Sequence, residues 1–181
     1  MRKLLLHVCC GPCSTEVIER LAAGNELVLF FFNPNIFPKE EYERRLAEAE
    51  RYASAKNIRF IRGDWAHDRW LGAIKGLEDE PEGGKRCAAC FAFRQNQAAL
   101  QAKKEGADAF TTTLTISPHK NAAAVNAAGE NAGKSAGIIF VSGDFKKRDG
   151  FLKSCRAAKD AGMYRQDYCG CEFSARKRSK D

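Results

Sequence analysis

Short apolar runs that alternate with helical patterns are the feature that most restricts how this chain folds. Each run is bounded by turn residues, which is typical of strands in a parallel sheet with helices on both faces. The predicted strands cover residues 3–8, 26–32, 58–61, 107–112 and 137–142. The predicted helices cover residues 14–23, 39–56, 91–105, 121–133 and 149–162. The sequence therefore predicts an α/β fold, with a parallel sheet flanked by helices.

Residue types also mark the ends of two helices and one loop. Ser14 is the expected N-cap of the first helix, because its hydroxyl oxygen can accept a hydrogen bond from an unpaired amide. Gly106 is expected just beyond the end of the third helix, where glycine is common. The segment 67–85 is rich in acidic residues, Gly and Pro and has no apolar periodicity, so it predicts a loop.

The length of 181 residues predicts one domain, spanning residues 1–181, with a short basic tail over about residues 174–181. The N-terminal MRKLLLHVCC contains too few apolar residues for a signal sequence, and far fewer than the roughly 20 that cross a bilayer. We therefore expect a cytoplasmic location and no membrane partner.

Five of the eight cysteines lie in two short clusters, HVCCGPC and RCAAC. The cytosol keeps thiols reduced, so clustered cysteines there more often bind metal or do redox chemistry than form structural disulfides. Cys87 and Cys90 are about one turn apart at the start of a predicted helix, where the helix dipole favours thiolates. Both sulfurs are therefore good candidate metal ligands.

Cys9 and Cys10 are adjacent, and the turn at Gly11 and Pro12 would let both sulfurs reach one cofactor. Together with Cys87 and Cys90 they supply four thiolates, and Cys13 is a fifth. Four thiolates suit either a [4Fe-4S] cluster or a tetrahedral zinc ion, and the spacing does not choose between them. Inert buried cysteines are the remaining alternative, although isolated core cysteines do not usually cluster at loop ends.

A second cysteine constellation is the CGC at Cys169 and Cys171. Cysteines one residue apart can close only a small strained ring, and strained disulfides are easily reduced. The same pair could instead donate a thiolate to a metal or remain a reduced surface segment. Cys155 stands alone on a helical pattern, and we assign it no function.

Three loops are expected to share one crevice, because ligands of open α/β sheets bind outside the carboxyl ends of the strands. These loops are HVCCGPC, NPNIFP and TTTLTISPHKN. Trp65 or Phe145 could stack on a base there, or could belong to the core. The formal net charge of +7 and the pI of about 9.0 suit a polyanionic partner such as nucleic acid, although a solvated basic surface explains them equally well.

Six sequence blocks together resemble the epoxyqueuosine reductase family of the QueH type, which does without cobalamin. The blocks are LLHVCCGPCS, FFNPNIFPKEEYERR, GLEDEPEGGKRCAACFAFR, FTTTLTISPHKN, DFKKRDG and YRQDYCGCEFS. The resemblance implies a HUP-like fold and reductive removal of the epoxide oxygen of epoxyqueuosine at tRNA position 34, which gives queuosine. The implied partners are tRNAs with GUN anticodons and an electron donor that the sequence does not identify.

The resemblance also implies roles for individual cysteines. The implied [4Fe-4S] ligands are Cys9, Cys10, Cys87 and Cys90. The implied redox-active pair is Cys169 and Cys171. Cys13 is the spare thiolate for an additional iron. ATP use is not expected, because CCGPC occupies the place where ATP-using HUP enzymes carry a Gly- and Ser-rich phosphate loop.

Removing an epoxide oxygen requires two electrons and two protons, whereas a [4Fe-4S] cluster usually passes one electron at a time. The CGC dithiol could supply both electrons, or the cluster could pass two in turn beside a bound iron, and the sequence leaves both routes open. Asp64, Asp144 and His119 are candidate proton donors by residue type alone.

Two alternatives to this function remain. The main one is a zinc-stabilised RNA-binding module without catalysis, and the other is a thiol-disulfide oxidoreductase, which leaves CCGPC unexplained.

Overall fold

A computed structural model describes residues 1–174 of the chain and confirms the predicted α/β fold. The five strands are β1 (Arg2–Val8), β2 (Asn25–Phe31), β3 (Arg59–Arg62), β4 (Ala109–Thr112) and β5 (Ile139–Phe140). They form one sheet in the order β3-β2-β1-β4-β5, and every neighbouring pair is parallel. The strand order reverses between β1 and β4, and parallel α/β sheets bind their ligands outside such a reversal.

Within residues 1–174, six helices and one short 3₁₀ helix connect and cover the strands. They are α1 (Gly11–Ala22), α2 (Lys39–Ala55), α3 (His67–Ala73), α4 (Lys85–Lys104), the 3₁₀ helix (Thr113–Ile116), α5 (Ala122–Ala136) and α6 (Gly150–Asp160).

Alternate residues of β1 point to opposite faces of the sheet, as strand geometry requires. Leu4 and Leu6 belong to the core that α1 and α2 cover, whereas Leu5 packs in the core with Ala98 of α4 and Ala132 of α5. All three leucines are completely buried. The continuous apolar run of β1 is therefore explained by a strand that is covered on both faces.

The prediction of a loop over residues 67–85 is wrong in its first part, because α3 occupies His67–Ala73. This helix has only seven residues, so the apolar periodicity that identifies longer helices is too short to detect. Trp70 and Ile74 anchor it, and both side chains are fully buried. They pack together with Cys90 and Cys171, so α3 forms part of the wall behind the cysteines.

Two helices begin earlier than the sequence predicts. α1 begins at Gly11 and α4 at Lys85, so Cys13 and the two cysteines of RCAAC lie in the first turns of these helices. Gly106 has a φ of 62° and directly follows the C-cap of α4, which confirms its predicted place. β5 has two residues where six were predicted, although the Val141 amide beyond its end still donates to the Phe110 carbonyl of β4 over 2.8 Å.

Within the described part of the chain, no helix is long and apolar enough to cross a membrane. The predicted basic tail begins at Ser174, and its remaining residues, 175–181, lie outside the described part.

Candidate metal and redox site

Cys9 lies at the reversal of strand order, directly after β1, and is tied to the residue that follows β4. Its backbone N–H donates to Thr113 Oγ1 over 3.0 Å, and the Thr113 hydroxyl donates to Cys9 Sγ over 3.2 Å. Thr113 is completely buried. One threonine therefore fixes both the backbone and the sulfur of Cys9 at the mouth of the sheet.

Cys10 is the N-cap of α1, so the prediction of Ser14 in this role is wrong. The Cys13 amide donates to Cys10 Sγ over 3.3 Å, whereas the Ser14 hydroxyl donates to the Gly11 carbonyl over 2.6 Å. The physical reason is that Gly11 and Pro12 already have helical geometry, and proline is favoured in the first helical turn because it has no amide hydrogen to satisfy.

The same turn brings three sulfurs together. Cys9 Sγ lies 3.9 Å from Cys10 Sγ, and the Sγ atoms of Cys9, Cys10 and Cys13 all lie within 4.8 Å of one another. Sulfurs at this separation can share one metal ion or one corner of a larger cofactor.

Cys87 and Cys90 lie in the first two turns of α4. The Gly83 amide donates to Cys87 Sγ over 3.2 Å, and Cys87 packs in the same apolar cluster as Cys9. Cys90 is buried and packs with Cys169 and Cys171. The N-terminal and C-terminal cysteines therefore converge on α4 from two sides.

Two adjoining cavities, here called the thiol crevice, connect these groups. Cys87, Cys90, Cys169 and Cys171 line the first cavity, and Cys9, Cys13, Cys155 and Cys169 line the second. Arg94, His119, Lys120 and Cys169 line both. The expectation that the three loops face one crevice is therefore confirmed for HVCCGPC, NPNIFP and TTTLTISPHKN, each of which contributes lining residues.

Two cations lie among the thiols. Arg94 is buried and donates to Asn33 Oδ1, while Asn33 Nδ2 donates to the Val8 carbonyl over 2.9 Å. Burial favours neutral Lys120, but the electrostatic attraction of the nearby cysteine sulfurs outweighs it and raises the pKa of Lys120. These two cations therefore favour the binding of an anionic group in the crevice.

The pKa values of the three N-terminal thiols differ in direction: one is lowered and two are raised. Hydrogen bonds from Cys10 and Cys13, supported by the charges of Lys120 and Arg94, hold the pKa of Cys9 well below its usual range. Burial raises the pKa of Cys10 to about 12, and the hydrogen bonds that Cys13 donates raise its pKa well above normal. Cys9 is therefore the most acidic of the three thiols, and binding of a metal would displace the protons of the other two.

Burial also raises the pKa values of Cys87 and Cys90, and it raises the pKa of Cys171 to about 11. Cys169 and Cys171 are both free thiols in this structure. A disulfide between them therefore stays a prediction.

His7 lies beside the thiols but has a structural role. It is completely buried, and its ring nitrogens contact Thr112 Oγ1 at 2.8 Å and the Phe32 carbonyl at 3.0 Å. Burial, together with the charge of Arg94, lowers its pKa to about 3. The neutral ring donates from Nε2 to Phe32 and accepts at Nδ1 from the Thr112 hydroxyl, which joins β1 to β2 and β4.

The structure separates the candidate proton donors. His119 lines the thiol crevice, whereas Asp64 lines a depression beside β3 and Asp144 pairs with Lys146 at 3.5 Å. The two candidate stacking residues, Trp65 and Phe145, are partly buried against the main core.

Sequence reasoning missed Arg94 and Thr113. Arg94 follows Cys87 by seven residues and Cys90 by four, so it lies on the same face of α4, and this spacing is a signal that could have identified it. Thr113 is one of five hydroxyl residues in TTTLTIS, and nothing in the sequence distinguishes it from the others.

A family model described as epoxyqueuosine reductase QueH matches residues 4–177. A protein of that name from Streptococcus pyogenes is 38% identical over 98% of this chain and 72% of its own length. The proteins of that name from Acinetobacter baylyi and Thermotoga maritima are 42% and 34% identical, over 96% of this chain in both cases and over 81% and 91% of their own lengths.

Two solved structures share the fold at low sequence identity. The U34-tRNA thiolase NcsA from Methanococcus maripaludis with its [4Fe-4S] cluster aligns with a TM-score of 0.56 at 13% identity, over 92% of this chain and 58% of that one. A predicted subunit of tRNA methyltransferase from Methanocaldococcus jannaschii gives 0.53 at 11%, over 88% and 89%. These matches confirm the predicted fold class, an α/β domain with a parallel sheet flanked by helices. The family match and the identities of 34% to 42% show in turn that this chain belongs to the epoxyqueuosine reductase QueH family.

Proposed function

We propose that this chain removes the epoxide oxygen of epoxyqueuosine at position 34 of tRNAs with GUN anticodons, giving queuosine. Membership of the epoxyqueuosine reductase family supports the reaction. The observation that carries the proposal is the thiol crevice, in which seven cysteines line adjoining cavities beside the strand reversal, and Arg94 and Lys120 line both cavities.

We propose Cys9, Cys10, Cys87 and Cys90 as the ligands of a [4Fe-4S] cluster, with Cys13 as a ligand of an additional iron. The donor set fits, because four thiolates are required and these sulfurs approach the crevice from β1 and α4. Arg94 and Lys120 would offset part of the negative charge of four thiolates. When bound, such a cluster supplies electrons one at a time.

The dithiol of Cys169 and Cys171 is proposed to supply the electron pair. Two thiols release two electrons and two protons as one S–S bond forms. The epoxide accepts them, both of its C–O bonds break, a C=C bond forms and the oxygen leaves as water. Cys169 lines both cavities, so its sulfur is exposed to whatever occupies the crevice. An external reductant must then restore the dithiol.

We propose that the base of the substrate enters the second cavity. Asn35 and Arg94 line it, both are buried, and Asn35 Oδ1 and Arg94 Nε have no hydrogen-bond partner among the described residues. Buried polar atoms are normally paired, so a free acceptor and a free donor favour a polar ligand at this position. His119 is exposed at the same cavity and is the proposed proton donor.

A second candidate, the zinc-stabilised RNA-binding module, is favoured by one distance. Zn–S bonds of about 2.3 Å place the sulfurs of a tetrahedral site about 3.8 Å apart. The Cys9 and Cys10 sulfurs are separated by 3.9 Å. This spacing suits a single ion bound by both sulfurs, whereas the four cysteine ligands of a [4Fe-4S] cluster each bind a different iron.

Anaerobic purification followed by metal analysis tests the proposal against this alternative. Iron with acid-labile sulfide, and broad absorption near 400 nm, is the expected result, and Cys87→Ala should lose most of both. Cys155→Ala is the matched control and should keep them, because Cys155 contacts Arg165 rather than another cysteine. A colourless protein with stoichiometric zinc, or full iron and sulfide in Cys87→Ala, would contradict the assignment.

A further inference from the structure

One face of α2 binds the segment that carries Cys169 and Cys171. Glu41, Arg45 and Glu48 are spaced by four and three residues, so their side chains share a face of the helix. The Tyr164 amide donates to Glu48 Oε2 over 3.1 Å, and the Tyr164 hydroxyl donates to Glu41 Oε1 over 3.1 Å. The segment is therefore docked on α2 before it reaches the cysteines.

Arg45 is the centre of this contact. Its side chain is only 2% exposed, and its Nε donates to Glu41 Oε1 over 2.6 Å. Its two terminal nitrogens donate to the carbonyls of Cys169 and Tyr168 over 3.1 and 3.4 Å, and the guanidinium lies 4.9 Å from the centre of the Tyr168 ring. A buried planar cation thus binds two consecutive carbonyls beside the reactive sulfur, which only arginine can do as a fork.

The NPNIFP loop holds the other side of the same turn. The Phe37 amide donates to the Gly170 carbonyl over 2.9 Å, and the Tyr168 hydroxyl donates to the Phe37 carbonyl over 3.1 Å. Gly170 has a φ of 101°, and a Cβ at this position would meet Arg45 Nη1 and Ile36 Cγ1 at 2.9 Å. The backbone between the two cysteines is therefore held between Arg45 and the loop after β2.

We propose that Arg45 is a positioning residue for the dithiol: it holds the backbone of Cys169 in the reduced arrangement, with Sγ at the crevice, and so makes the disulfide easier to reduce. The inference rests on the proposed redox role of Cys169 and Cys171. A disulfide between cysteines one residue apart closes a small strained ring, and the bonds from Arg45 to the carbonyls are made while both thiols are free. Stabilising the reduced form of such a pair raises its reduction potential.

The expected effect on turnover concerns the re-reduction of the Cys169–Cys171 disulfide. Each reaction consumes two thiols and leaves one disulfide, which an external thiol reductant must open before the next epoxide can react. Loss of Arg45 should leave the first turnover largely intact while slowing later ones. This separation is not expected of a residue that only supports the fold.

The test equilibrates the iron-loaded protein in dithiothreitol redox buffers of graded potential. Alkylation and mass spectrometry then give the fraction of Cys169–Cys171 disulfide. In Arg45→Ala we expect the equilibrium to shift at least tenfold toward the disulfide, which is about 30 mV for a two-electron couple. Arg45→Lys keeps the charge and should recover part of the shift. Arg62→Ala, which removes an exposed arginine paired with Glu50 of α2, is the control and should not change it.

The double variant Arg45→Met with Glu41→Gln guards against a folding defect, because it leaves no unpaired charge beside α2. It should show the same shift with normal iron content. Equal reduction potentials in the wild type, in Arg45→Ala and in the double variant would overturn the role of Arg45 and leave the proposed function standing. A wild-type protein in which the two thiols never form a disulfide would overturn the redox role of the pair, and the role of Arg45 with it.

Discussion

Replacing Thr113 with valine should weaken the fold at the point where β1 and β4 meet the thiols. Valine has nearly the same shape as threonine, so the change leaves no cavity. It removes the oxygen that accepts the Cys9 amide and donates to Cys9 Sγ. An unsatisfied buried amide costs about 1–3 kcal/mol, and a lost hydrogen bond to a charged group costs about 1.5–3 kcal/mol. Since Cys9 is only partly buried, we expect a total of about 3 kcal/mol.

Thr113→Ser is the matched control, since it keeps both hydrogen bonds and loses one buried methyl group, worth about 1 kcal/mol. Urea unfolding of the metal-free protein under reductant measures the difference. With a slope of about 2 kcal/mol per molar urea, the midpoint should fall by about 1.5 M in the valine variant and by about 0.5 M in the serine variant. A valine variant as stable as the serine variant would refute the reasoning, because the hydroxyl would then contribute no more than one buried methyl group.

The remaining predictions concern the C-terminal segment. Cys169→Ala and Cys171→Ala should each keep full iron and absorption while losing most multiple-turnover activity, and loss of iron in either would instead make the CGC a ligand. Gly170→Ala should shift the dithiol equilibrium in the same direction as loss of Arg45, because the added Cβ meets Arg45 at 2.9 Å; an unchanged equilibrium in redox buffers would contradict this. Truncation after Ser174 removes four basic residues, so it should weaken tRNA binding and flatten its salt dependence while the iron content stays the same. Unchanged affinity and slope in binding titrations would show the tail to be only a solvated end.

The sheet could be predicted from the sequence because its strands are buried on both faces. A strand such as β1 must then be apolar at every position, and this pattern is visible without knowledge of its neighbours. α3 could not be predicted, because its seven residues are too few to show a period and depend on tertiary contacts of Trp70 and Ile74.

The cysteines of the candidate site could be predicted, because clustered cysteines indicate metal binding or redox chemistry whatever fold carries them. The groups that hold them could not. Arg45 lies 124 residues before Cys169, and Thr113 lies 104 residues after Cys9, so their contacts exist only once α2 has docked the C-terminal segment and β4 has paired with β1. Contacts between residues so far apart leave no local pattern in the sequence.

The most direct test of the proposed function is turnover on its substrate. The iron-loaded protein, a chemical reductant and tRNA carrying epoxyqueuosine should together yield queuosine, measured as the modified nucleoside by mass spectrometry after digestion of the tRNA. A Cys87→Ala protein under the same conditions should leave epoxyqueuosine unchanged. Unchanged epoxyqueuosine with the fully loaded wild-type protein, or equal conversion by both proteins, would contradict the account.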